Sequence, residues 1–390
     1  MLLNKLRLYN PKPSKGSASP NIVAPPEVIH EAYNPNSWPG DTTHAPSRDD
    51  LFNKIESLGY FGNVVIVDKT YGNDYTGRVG NINKPFYSHS VAIGSIPAGS
   101  PGLCITMPGV YQVNSSFGFP IKNGIDHYLF NATIEVCAGS YSYGSILAYP
   151  NYVKCKIFGK GTIKNLSVNQ DWALITPYVS CDLEFEGIRF EGPKQIIGNA
   201  GGFNQAKKLK FRNCELVSTN NTIPTYLGAG NFAGYTQAVF ENCYIKGCML
   251  VTTSNSGFFP DNYLLKFYRC HFESIDTNSN GQYASISFLD YYSDAQISKY
   301  LFQDCSFKGN HNNLYCADGY GGAGSNKYII INNCRFVNGV EGWIVNNNPN
   351  YKFKLTNSWT TNNATGSPVI NLMSGTGMIT DPNLEVESYE

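Results

Sequence analysis

Residues 183–190 read LEFEGIRF, and six later segments repeat the same pattern of residue types. The later segments are LKFRNCEL (209–216), AVFENCYI (238–245), LKFYRCHF (265–272), YLFQDCSF (300–307), IIINNCRF (329–336) and FKLTNSWT (353–360). Aligned on their sixth residue, they follow one another at steps of 26, 29, 27, 35, 29 and 24 residues. The first, third, sixth and eighth positions are apolar or small. Strand alternation therefore predicts that these four side chains face a common core.

The fifth position of the pattern predicts a sharp bend, because the step from the third to the sixth position breaks the period of two. Six of the seven segments have a residue there that tolerates left-handed backbone, and Arg269 is the exception. The six residues are Gly187, Asn213, Asn242, Asp304, Asn333 and Asn357. A strand, a bend and a second strand at this long period indicate the corner of a stacked β-coil. An antiparallel sandwich would instead show turn signals every 8–12 residues or so.

These segments resemble the rungs of pectin-lyase-like right-handed parallel β-helix proteins, especially those of bacteriophage tail fibres and tailspikes. The stretches GNDYTGRVGNINKPF (72–86) and LCITMPGVY (103–111) are similar to the first coil of such domains. The resemblance covers residues 64–365. It implies an all-β, right-handed single-stranded parallel β-helix, a homotrimer about its long axis, and a place in a virion assembled in the host cytoplasm.

The chain divides into four parts on the same evidence. Residues 1–46 contain eight prolines without an apolar period, which predicts an extended arm that docks on other virion proteins. Residues 47–62 are expected to form a short helix and a connector, since Ser47 can cap the helix and Leu51 and Ile55 share a face. Residues 63–380 form the predicted β-helix, and residues 381–390 form a C-terminal tail.

Composition narrows the classes of function. The formal net charge is zero and charged residues make up 15% of the chain, which argues against non-specific nucleic-acid binding. No apolar run is long enough for a membrane span, and the N-terminus lacks the apolar region of a signal peptide. The 11 cysteines include no CxxC pair, and five of them fall in the sixth position of the repeat, so we expect reduced, buried thiols.

One segment is a candidate carbohydrate-binding site. The longest step of the repeat contains DTNSNGQYASISFLDYYSDAQISK (276–299), which clusters carboxylates with tyrosines. The clustered residues are Asp290, Tyr291, Tyr292 and Asp294. Tyrosines beside carboxylates suit sugar rings through stacking and hydrogen bonding. The alternative interpretation, a protrusion that packs on a neighbouring subunit or coil, remains open.

No catalytic residue can be assigned from the sequence. Glu186 and Glu241 lie two rungs apart, at a separation that glycoside hydrolysis could use, but Arg212 between them favours a surface ladder of alternating charge. The histidines form no metal-binding pattern, so no metal or cofactor is expected. The sequence thus predicts a virion tail fibre or tailspike that presents a β-helix to host surface polysaccharide or neighbouring virion proteins. The alternative is a capsular polysaccharide depolymerase, a lyase or glycoside hydrolase, on the same fold. The sequence leaves enzymatic activity undecided and favours the structural role. A free adhesin is a weaker third option.

Overall fold

The computed structural model describes the repeat region and the coils before it. The described residues are 63–113, 119–136, 152–166, 174–175, 180–192, 196–197, 207–219, 226–227, 235–253, 265–273, 286–290, 298–308, 312–318, 327–337, 342–346, 351–360 and 373–375. The predicted arm (1–46), the predicted helix and connector (47–62) and the tail (381–390) lie outside these residues.

The fold is a parallel β-solenoid, which confirms the predicted all-β parallel β-helix. Every strand pairing among the described residues is parallel, and each strand pairs with its counterparts in the coils before and after it. The strands belong to an 18-stranded sheet that follows the bend of the repeat and to a second sheet of six strands.

The 18-stranded sheet has three kinds of strand. Those before the bend are β1 (Val64–Val67), β2 (Gly102–Thr106), β7 (Lys207–Arg212), β10 (Tyr235–Glu241), β13 (Leu265–Tyr268), β16 (Ser298–Gln303), β19 (Lys327–Asn332) and β22 (Tyr351–Thr356). Those after it are β3 (Gly109–Val113), β8 (Glu215–Ser218), β11 (Tyr244–Lys246), β14 (His271–Glu273), β17 (Ser306–Lys308), β20 (Arg335–Val337) and β23 (Trp359–Thr360). Three strands run through both parts: β4 (Ile125–Val136), β5 (Val153–Asn165) and β6 (Cys181–Gly192).

The second sheet adds a strand to each of the six later coils. Its strands are β9 (Tyr226–Leu227), β12 (Cys248–Thr253), β15 (Ile286–Asp290), β18 (Asn312–Asp318), β21 (Gly342–Asn346) and β24 (Met373–Gly375). Within the described part of the chain, one α-helix, α1 (His89–Ser95), precedes β2 and buries Ala92 and Ile93. The sequence pattern did not predict this helix.

The core is built from columns of similar side chains, as the period of two predicts. At the third position, Phe185, Phe211, Phe240, Phe267 and Phe302 occupy consecutive coils. Their rings stack with centroid separations of 4.9, 4.8, 4.7 and 5.0 Å, and all five are buried. Offset stacked pairs of this kind contribute roughly 0.5–1.5 kcal/mol each beyond the area they bury.

A second column holds the sixth-position thiols, which are buried and free of disulfides, as predicted. Its members are Cys214, Cys243, Cys270, Cys305 and Cys334. The Cys270 thiol donates to the Tyr268 carbonyl and lies equally close to the Phe240 carbonyl of the preceding coil, at 3.4 Å from each. Burial raises the pKa of the Cys270 thiol well above its usual value, which keeps it protonated and unreactive.

At the bend, all seven fifth-position residues have positive φ, between 49° and 71°. Arg269, the exception by residue type, has φ 52° like its neighbours. The corner amides continue the ladder from coil to coil: Asn242 N donates to Tyr268 O and Arg269 N donates to Gln303 O, both at 2.9 Å. The side chains form a parallel row, in which Arg269 Nε donates to Asn242 Oδ1 at 2.7 Å.

Strands β4 and β5 belong to two earlier coils, which lie outside the seven repeat segments and have irregular corners. Strand β5 shifts register against β6 between Phe158 and Gly161. Gly159, with φ 114°, takes the bend there, and a Cβ on it would lie 2.4 Å from the Leu129 carbonyl oxygen. This coil therefore has a two-residue corner that only glycine can begin, and this explains why it does not match the later pattern.

Candidate functional site

The carbohydrate-binding candidate lies partly within the described residues. Asp290 ends strand β15, while Tyr291, Tyr292 and Asp294 lie outside the described part of the chain. The parallel register places Asp290 directly opposite Asp318 of the next coil. Paired strands are about 4.8 Å apart, so two carboxylate-bearing residues share one end of the second sheet. The eight-residue pattern did not identify Asp318 as a site residue, because the strands of the second sheet lie outside that pattern.

The outward face of the strands before the bend carries a network of charges near its N-terminal end. Arg212 lies between two carboxylates, with Nη1 3.2 Å from Glu184 Oε1 and Nε 2.9 Å from Glu241 Oε2. Lys210 Nζ is 3.2 Å from Glu241 Oε1, and Lys156 pairs with Glu184 at 3.3 Å. Like Glu241, Glu186 has a cationic partner, Lys156. The network matches the alternating-charge ladder and leaves Glu186 and Glu241 as ion-pair partners.

The same face becomes apolar further along, which the prediction of an outward polar ladder did not anticipate. Tyr268, Leu301 and Ile330 form a separate buried cluster, with Val239 packed against it. Glu241 at its edge is only 8% exposed. The second and fourth positions thus face away from the coil core without being uniformly a solvent surface, because alternation fixes direction and not exposure.

The outward face after the bend has a different chemistry. Tyr244, His271 and Ser306 are register neighbours on successive coils. The Tyr244 and His271 rings stack at 5.6 Å with an 8° interplanar angle, and Tyr244 Oη donates to Glu273 Oε2 at 2.8 Å. His271 Nδ1 is 2.5 Å from Ser306 Oγ. The stacking covers one face of each ring and leaves the polar edge of His271 directed at Ser306.

The first coils contain two buried histidines in the core. His127 follows Cys104 in the third-position column and is fully buried, and neither of its ring nitrogens has a hydrogen-bond partner among the described residues. His89 of α1 places Nε2 2.9 Å from Thr106 Oγ1. The ring of Phe119 lies 5.2 Å from that of His89 and 4.9 Å from that of His127. Burial lowers the pKa of His89 to about 4 and, with the help of His89, that of His127 to about 3, so both are neutral at pH 7.

Across the described ranges, no three His, Cys, Asp or Glu side chains are grouped so as to hold a metal ion. No helix in that part of the chain is long and apolar enough to cross a membrane.

Comparisons with known proteins add little on function. No protein-family model matches this chain, and no curated protein matches its sequence. Among solved structures, a rhamnogalacturonan lyase aligns over 76% of this chain and 74% of that chain, with 14% identity and a TM-score of 0.35. A match at this score supports no inference about activity.

Proposed function

We propose that this chain is a structural protein of a bacteriophage virion, a tail fibre or tailspike, attached to the particle through residues 1–46. The observation that best supports the proposal is the continuity of the coil register, which links β1 to β22 without an antiparallel break. In such a solenoid each coil packs on its neighbours, and the stacked core columns make the assembly a stiff rod. A stiff rod suits a protein that must hold a binding surface away from its attachment point.

The outward charges fit the same role. Glu184, Glu186 and Glu241 each have a cationic partner. Carboxylates in ion pairs of this kind serve as parts of a surface network rather than as a matched acid and base. The proposal includes a homotrimer about the long axis, host surface polysaccharide or neighbouring virion proteins as partners of the β-helix, and assembly in the host cytoplasm.

Deletion of residues 1–46 tests this function. We expect the shortened protein to be soluble, rich in β-structure and thermally stable, because the coils contain their own core. We also expect it to be missing from purified particles when it replaces the full chain. Deletion of residues 381–390 is the matched control and should leave incorporation unchanged. Normal incorporation of the chain without its arm would contradict the proposal.

A second function, polysaccharide depolymerisation, is favoured by one observation, the juxtaposition of Asp290 and Asp318 on adjacent coils. Retaining glycosidases place their two carboxyl groups roughly 5–5.5 Å apart, close to the spacing of neighbouring strands. The test is release of oligosaccharides from host capsule by the intact protein, by Asp290→Asn and by Asp318→Asn. Asp182→Asn, in the other sheet, is the control. No release by the unmodified protein would exclude this function for that capsule.

A further inference from the structure

The seventh position of the repeat forms an outward row after the bend. Its sequence neighbours at the sixth and eighth positions, such as Cys270 and Phe272, are buried, so alternation directs the seventh side chain away from the core. Register places His271, Ser306 and Arg335 on three consecutive coils in this row. A histidine, a hydroxyl and a guanidinium therefore follow one another at intervals of about 4.8 Å.

The histidine is held in a fixed orientation by its surroundings. Its Nδ1 lies 2.5 Å from Ser306 Oγ, close enough for a hydrogen bond between the two side chains. On its other side the ring stacks on Tyr244, and Tyr244 is in turn held by its hydrogen bond to Glu273. A base oriented on one side and bonded to a hydroxyl on the other is the arrangement that activates a serine nucleophile.

The electrostatic environment suits a neutral base. Burial lowers the pKa of His271, and Lys308 and Arg335 lower it further, while Glu273 opposes the change. The imidazole is therefore neutral at pH 7, and with its proton on Nε2 it can accept the Ser306 proton at Nδ1. Arg335 is the register neighbour of Ser306 on the next coil, and its positive charge is close enough to act on the pKa of His271.

We propose that Ser306 and His271 are the nucleophile and general base of an acyl-transfer site that hydrolyses carboxylic esters. Ser306 Oγ attacks the ester carbonyl carbon while its proton passes to His271 Nδ1, and the negative charge on the carbonyl oxygen is stabilised by Arg335. When the tetrahedral intermediate collapses, the bond between the carbonyl carbon and the alcohol oxygen breaks. The alcohol leaves with the proton from His271. A water molecule then attacks the acyl group on Ser306 while His271 takes its proton. The bond to Ser306 Oγ breaks, His271 returns the proton to Oγ, and the acid is released, so that the net reaction converts one ester and one water into an acid and an alcohol.

The substrate class follows from the outward position of the site and rests on the proposed function. The row lies on the outward face of the strands, so a substrate must approach it from outside the coils. O-acyl groups of a host surface polysaccharide are esters carried on such an external partner. The activity would trim such groups without cutting the chain, so it requires no pair of carboxylates.

Two measurements on the isolated full-length protein test the chemistry. The first is covalent labelling by a fluorophosphonate with mass mapping, where Ser306 should be labelled and His271→Gln should lose most of the labelling. The second is hydrolysis of p-nitrophenyl acetate, where Ser306→Ala and His271→Gln should each lose about 100-fold or more. Ser100→Ala is the matched control, and circular dichroism should show that all variants keep the fold.

The outcomes separate this proposal from the virion assignment, because neither measurement involves a particle. An unlabelled Ser306, or hydrolysis as fast in Ser306→Ala as in Ser100→Ala, would show that the contact is only a surface hydrogen bond. Release of acetate from an O-acetylated host polysaccharide would support the substrate class. Hydrolysis of the small ester without such release would overturn that class while leaving the nucleophile in place.

Discussion

Acid should destabilise this protein through the two histidines buried in its first coils. His127 is fully buried without a hydrogen-bond partner among the described residues, and its immediate neighbours in the column are Cys104 and Ile157. His89 is 6% exposed and contacts Thr106. Their pKa values in the folded protein, about 3 and about 4, lie below the ordinary value of 6.5.

The sign and size of the effect follow from proton linkage. Between pH 6.5 and pH 4 the unfolded chain binds up to two more protons than the folded one, so stability falls as the pH falls through 6.5. Each histidine contributes up to about 1.4 kcal/mol per pH unit in this window. Between pH 7 and pH 5 the pair should lower the free energy of unfolding by about 4 kcal/mol, which is a large part of a typical total.

Urea unfolding followed by far-UV circular dichroism at pH 7, 6 and 5 measures this loss. His127→Leu should remove about half of the loss in the free energy of unfolding between pH 7 and pH 5. It should also raise that free energy at pH 7, because it removes an unpaired buried polar group. His271→Gln, at a half-buried outward position, is the comparison and should change the difference much less. If the unmodified protein and His127→Leu lost equal free energy of unfolding between pH 7 and pH 5, His127 would not be a source of the acid sensitivity.

Three further predictions concern the repeat. Asn242→Val should lower the free energy of unfolding by roughly 1–3 kcal/mol, because a β-branched residue is strained at positive φ. Arg269→Asn should be neutral or stabilising at the equivalent corner. Unchanged thermal unfolding of Asn242→Val would contradict the position assigned to the bend. Phe267→Ala should cost roughly 3–5 kcal/mol in urea unfolding by opening a gap in the ring column, and a loss below about 1 kcal/mol would contradict the stacking. The five sixth-position thiols should resist a thiol reagent in the native state, and their rapid labelling without denaturant would contradict the register.

The repeat made much of this fold predictable from sequence, because one set of local rules applies to every coil. Alternation identified the third-position column, and Asn, Gly and Asp identified the corner, since few residue types tolerate positive φ. Arg269 shows the limit of that rule. Its residue type disfavours the bend, yet the neighbouring coils on both sides impose the conformation.

The parts that could not be predicted depend on contacts between distant residues. The burial of Tyr268 and Leu301 on an outward face cannot be read from alternation, which gives direction only. His127 occupies a column position that phenylalanine fills in later coils, and its coil bends at different positions, so the pattern did not include it. Asp318 became visible as the neighbour of Asp290 only when the register of the second sheet was known.

Limited proteolysis with mass mapping of the cuts, carried out on the isolated protein and on intact particles, tests the central functional claim most directly. An arm that gains its order by docking should be cut readily within residues 1–46 in the isolated protein and be protected in the particle. The β-helix should resist cleavage equally in both. Equal resistance of the arm in the two forms would contradict attachment through residues 1–46.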